Sequence, residues 1–104
     1  MKLLTKSIRD RLVKNHQQTE ESGGTVEHKV VVKLFNPNGI GTWYLTELNP
    51  DTNVAFGLCV LHEEELGAVS LDELANFKGM FGLGIERDRY FKSNTKTLEE
   101  CYNG

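Results

Sequence analysis

Residues 26 to 62 hold three runs rich in β-branched, aromatic and aliphatic side chains, VEHKVVVKLF, TWYLTEL and VAFGLCVLH, broken by NPNGIG and NPDTN. Runs of this length and composition favour extended backbone, and Pro, Gly, Asn and Asp at the breaks supply turn conformations. Short turns between successive strands leave neighbours antiparallel, so the segment predicts a meander. The third run is apolar almost throughout, as in an interior strand covered on both faces.

The flanking segments have helical spacing instead. Leu4, Ile8 and Leu12 fall at i, i+4 and i+8, with Lys2, Lys6, Arg9 and Lys14 mostly off that line. This predicts a short amphipathic helix packed on the sheet, and the brevity of its apolar stripe argues against a membrane-surface or calmodulin-target helix. NHQQTEESGGTVEH has almost nothing to bury and reads as a flexible segment near 15–25. After EEELG, Ser70 and Glu73 have capping-box spacing, Leu71, Leu74 and Phe77 share a face, and Gly79 is placed to end that helix at C′. FGLGIERDRYF returns to strand-like alternation, and Thr97 is placed to cap a last helical turn in LEECY. The expected fold is a single α+β domain over 1–104, with an antiparallel four-stranded sheet near 28–35, 42–48, 54–62 and 84–91. The N-terminal helix and one further helix pack on it, with Trp43 or Tyr44 against a helix.

A length of 104 residues with 38% hydrophobic and 26% charged content suits one domain with its own core. Charges punctuate MKLLTKSIRDRLVKN, and no apolar run approaches the roughly 20 residues of a membrane span. A cytoplasmic, uncleaved protein is expected, with Cys59 and Cys101 both reduced. The net charge of −3 is unevenly spread: residues 1–42 carry seven Lys/Arg against four Asp/Glu, and residues 43–104 carry five against eleven. Nucleic-acid affinity depends largely on cations neutralising phosphates, so an acidic domain is better matched to a basic protein surface.

The motifs of catalysis are largely missing. In GMFGLGIE the glycines follow a helix and precede a strand, the reverse of a phosphate-binding loop, so they read as a turn. His16, His28 and His62 are widely separated, and the cysteines form no Cys-x-x-Cys. A carboxylate–histidine metal site requires the fold to assemble Glu47, His62, Glu86 and Asp88. Ser70 has a structural assignment as a cap, and Cys59 has no charge partner in sequence to activate it. In IERDRYF, strand alternation sends Ile85, Arg87, Arg89 and Phe91 one way and Glu86, Asp88 and Tyr90 the other. Glu86 and Asp88 then form either a carboxylate pair or cross-strand ion pairs with groups such as Lys33. No catalytic residue, cofactor or metal is expected.

LLTKSIRDRL, VVVKLFNPNG, TWYLTELNPD, FGLCVLHEEELGAVSLDEL and GLGIERDRYF followed by TLEE resemble, in order and nearly end to end, a family of small bacterial proteins of unknown function. Many of its members have prolines where this chain has Val13 and Gly84. The resemblance implies carriage on conjugative plasmids, integrative elements and phages, and a relation to type II anti-CRISPR proteins. It therefore implies an inhibitor whose partner is a type II CRISPR effector nuclease, while the residues themselves point away from catalysis, direct nucleic-acid binding and membrane binding. Such an effector holds nucleic acid in a positively charged channel, which acidic groups can oppose. The candidate partner-binding residues are Glu47, Glu63, Glu64, Glu65, Glu86 and Asp88. A solvated turn is the plainer reading of Glu63 to Glu65. Two alternatives remain: a DNA-associated module of conjugation or plasmid maintenance acting through Lys2, Lys6, Arg9 and Lys14, and a metal-dependent nuclease or hydrolase.

Overall fold

The two Pro- and Asn-rich breaks do turn the chain, and the runs between them pair as antiparallel strands. The computed structural model describes residues 3–24, 26–79 and 82–102. In chain order the elements are α1 (Lys6–Glu21), β1 (Val32–Phe35), β2 (Thr42–Asn49), β3 (Val54–Val60), β4 (Glu64–Ser70), α2 (Leu71–Asn76), β5 (Glu86–Arg87) and α3 (Leu98–Cys101). The strands form one antiparallel five-stranded sheet in the order β4-β3-β2-β1-β5.

Pleat alternation divides the core between the two faces of this sheet. Leu34, Trp43, Leu45, Leu48 and Ala55 meet Leu12 of α1 and Leu71 and Leu74 of α2. On the other face Leu58 joins Val30 and Cys101, with Tyr44, Val60, Phe91 and Leu98 packed around them. Trp43 and Tyr44 thus serve opposite layers, one beside the long helix and one beside α3. β3 contributes Ala55 to the first layer and Leu58 to the second, the two-sided cover expected of an interior strand. Among the described residues, no helix is long and apolar enough to cross a membrane.

Four expectations need correction. A fifth strand, β4, occupies the stretch read as a turn before α2. None of its residues is fully buried, so the apolar alternation that betrays a buried strand is weak. α1 continues through Glu21, into the segment assigned to a flexible connection, because Asn15 is buried in a hydrogen bond to the sheet. α2 stops at Asn76, since Phe77 is extended (φ −63°, ψ 132°). Gly79 is therefore not its C′ residue, and it closes a separate turn through its N–H to Leu83 C=O. Finally, β5 ends at Arg87, because the Asp88 carboxylate accepts the Tyr90 N–H at 2.9 Å and bends the chain. Ile85 and Phe91 consequently enter opposite core layers instead of sharing a face.

Within β2, the register against β3 shifts between Leu45 and Glu47, a bulge that leaves Thr46 without a paired residue. β1 accompanies β2 only as far as Leu45, which pairs with Val32. Beyond that point α1 covers the edge of β2, and Asn15 Nδ2 donates to Thr46 C=O at 3.0 Å. Thr46 is only 2% exposed, so water cannot replace that donor. Asn15→Ala is expected to cost about 1–3 kcal/mol, the penalty of a buried acceptor left unmet. Urea denaturation should show a lower midpoint with an unchanged slope, whereas Gln17→Ala on the exposed side of α1 should change stability by less than about 0.5 kcal/mol.

Candidate functional site

Three of the acidic side chains singled out in the sequence lie together at one end of the sheet. Glu63 is in the turn joining β3 to β4, and Glu64 and Glu65 begin β4. Glu64 stands opposite Val60 and Glu65 opposite Cys59, so the two carboxylates diverge to different faces. Beside them lies an open groove of about 600 Å³ lined by Glu27, Leu66, Leu98, Glu99 and Tyr102. Leu66 is 58% exposed and Tyr102 44% exposed, an unusual amount of large apolar surface to place side by side. Tyr102 Oη donates to Glu64 C=O at 3.3 Å, which ties the end of α3 to the start of β4.

Local sequence holds α3 in place. Thr97 and Glu100 form a reciprocal capping box: the Thr97 hydroxyl accepts the Glu100 N–H at 3.2 Å, and the Glu100 carboxylate accepts the Thr97 N–H at 2.9 Å. The backbone hydrogen bond from Thr97 is the main reason the Glu100 carboxyl lies below its ordinary range, and Lys29 and Lys96 add to the effect. Glu100 is therefore engaged in the cap, while Glu99 faces the groove. Lys29 also forms an isolated antiparallel bridge with Thr97, which anchors the segment carrying Glu27 beside α3.

The remaining candidates are elsewhere. Glu86 and Asp88 lie at the β5 edge, four strand spacings or roughly 19 Å from β4, so they do not extend the acidic rim. Asp88 sits 3.5 Å from Lys33, and the same ammonium lies 5.6 Å from the centre of the Tyr44 ring. This is the cross-strand pairing with Lys33 anticipated for that carboxylate. Glu47 is mostly enclosed, 3.7 Å from His16. His62 is exposed in the β3–β4 turn. Glu47, His62, Glu86 and Asp88 thus occupy separate parts of the fold, and among the described residues no group of three or more such side chains has a metal-holding arrangement. Of the basic residues proposed to contact DNA, Lys6 is paired with Asp10 at 2.8 Å and Arg9 Nη1 donates to Asn53 at 2.9 Å. Lys2 lies outside the described residues.

Sequence reading missed Glu27, Leu66, Leu98, Glu99 and Tyr102. The available signal was the pair Leu98 and Tyr102, one turn apart behind the Thr97 cap.

Together, sheet and groove define a small α+β protein with an acidic-rimmed apolar surface at one sheet edge. The chain belongs to the family described as protein of unknown function (DUF2958), which matches it over residues 3–100. No match was found among curated proteins or among solved structures.

Both thiols are free and contribute to opposite core layers. Burial raises the pKa of Cys59, and the Glu65 carboxylate across the strand pair raises it further. Burial likewise raises that of Cys101. Little thiolate is present at neutral pH, so both should react slowly with iodoacetamide. Removing the neighbouring negative charge in Glu65→Gln should shift the pH–rate profile of Cys59 to lower pH while leaving that of Cys101 in place.

Proposed function

We propose that this protein is an anti-CRISPR protein of a phage or mobile element, which binds a type II RNA-guided effector nuclease and inhibits DNA targeting without catalysis. The observation that carries this reading is the exposed apolar groove lined by Glu27 and Glu99, with Glu64 on the same sheet face and Glu63 and Glu65 beside it at the same end of the sheet. Carboxylates arrayed this way offer a basic protein surface the charge that a nucleic-acid backbone would otherwise supply. The apolar floor offers burial, which exposed ion pairs alone do not provide. The resemblance of LLTKSIRDRL, TWYLTE, ELGAVSLDEL and IERD to mobile-element proteins supplies the biological setting.

An effector preloaded with guide should cleave target DNA less completely as this protein is added in excess, and the protein alone should not shift the same DNA in a gel. Reversing Glu63, Glu64 and Glu65 to Lys should slow association and flatten its dependence on salt. Full cleavage with several divergent effectors, joined to salt-dependent DNA binding by the protein itself, would replace this reading with the plasmid-maintenance module.

A further inference from the structure

The two edges of the sheet differ sharply. β5 has two residues and runs directly into a turn, so it offers little backbone for pairing. β4 has seven, with no proline and an unbroken register against β3 from Val54–Ser70 to Val60–Glu64. Leu71 N–H donates to Asn53 C=O at 3.0 Å, and Leu61 N–H donates to Glu63 C=O at 3.1 Å, one pair beyond each end of that register. Antiparallel ladders alternate, so residues 65, 67 and 69 bond inward to β3 and residues 64, 66, 68 and 70 turn their N–H and C=O groups outward. The Tyr102 hydroxyl on Glu64 C=O agrees with this parity. Among the described residues, nothing bonds to the outward backbone groups of Leu66 and Ala68.

The geometry points to β4 as a docking edge for an extended segment of a partner protein that carries an apolar side chain flanked by basic ones on the same strand face. The segment adds as a sixth strand along Leu66 and Ala68 and places an apolar side chain in the groove of Leu66, Leu98 and Tyr102. Two residues to either side on that same face, its basic side chains meet Glu27, Glu99 and Glu64. A second copy brings no Lys or Arg to this edge. Two-fold pairing centred on Gly67 sets Leu66 against Ala68 of the copy and Glu63, Glu64 and Glu65 against its Leu71, Ser70 and Val69, which leaves the acidic groups without a cationic partner. The inhibitor reading enters only in identifying the partner; the edge and groove stand apart from it.

The probe is a fluorescent peptide of about seven residues with Arg, Val and Arg at every second position and Thr between them, compared with its counterpart carrying Glu in place of Arg. Expected are anisotropy changes with the Arg peptide alone, and slowed deuterium exchange at the Leu66 and Ala68 amides on binding. Ala68→Pro removes an outward N–H at a position where an edge strand tolerates proline, and Leu66→Lys puts a like charge in the groove. Each should weaken binding about tenfold or more. Wild-type-like circular dichroism certifies the fold, and the exchange measurement on the unmodified protein decides the matter if a variant unfolds. Any one of four results overturns the inference: no binding of the Arg peptide, equal binding of both peptides, undiminished binding by the folded variants, or self-association abolished by Ala68→Pro. A nuclease-cleavage assay on the same proteins separates the two ideas. Inhibition without peptide docking overturns the edge alone, and peptide docking with full cleavage supports the edge and removes the inhibitor.

Discussion

The hydrogen bond from Asn15 to Thr46 C=O lies where a sheet edge becomes a helix-packed edge, and the arrangement of both layers follows from that exchange. β1 is too short to accompany β2 along its whole length, so the far end of β2 needs another cover. A helix cannot satisfy a strand edge with its own backbone, whose groups are already paired within the helix. A side-chain amide must do it. Once Asn15 is fixed on β2, Leu12 one turn earlier is directed into the sheet and the start of α1 reaches the β2–β3 turn. There Arg9 donates to Asn53 Oδ1, and Asn53 Nδ2 donates to Asp72 of α2 at 2.8 Å. Asn53 holds a left-handed conformation, φ 57°, which Asn tolerates better than most residues. One turn residue thereby ties both helices of this layer to the strands between them.

The opposite layer is built more sparingly. α3 has four residues, far fewer than a helix needs to persist alone in water, and its stability comes from its cap and from packing. So short an element cannot cover a sheet face that extends to β4. Phe56 and Leu66 are left exposed on that side, and the groove beside Tyr102 results directly from this shortage of cover.

Much of this fold was legible because buried elements write their periodicity into the sequence. The three runs between residues 26 and 62 became β1, β2 and β3; Ser70 and Thr97 cap the helices assigned to them; Leu12 faces the sheet. What escaped was written in other terms. β4 is half solvent-facing, and Glu64, Glu65 and Gly67 describe an edge more than a strand. Helical residues 15 to 21 lack an apolar stripe, since their anchor is a single polar side chain. Gly57 was unremarkable in VAFGLCV, yet a Cβ there would collide with Tyr44 C=O beside the β2 bulge, a requirement visible only once the strands are paired. For the candidate site, the run of glutamates was visible, but its separation from Glu86 and Asp88 by the full width of the sheet depends on strand order, which local sequence does not encode.

That separation affects how an acidic surface of this kind can act. Exposed carboxylates each contribute little to binding energy in water, because they remain solvated and are screened by salt. Their effect is on approach and on the choice of partner, where charges of one sign at one sheet edge act together over about a Debye length. Residence must come from surface that leaves water, and the groove and the outward backbone groups of Leu66 and Ala68 are where the described structure offers it. The β5 carboxylates have different surroundings: Asp88 is held by Lys33, which itself lies over Tyr44, so part of their charge is already used in joining that edge to the sheet. The formal charge of the acidic half of the chain therefore overstates the charge left without a partner, and the two ends of the sheet differ in how their carboxylates are held even though the sequence presents them as similar clusters.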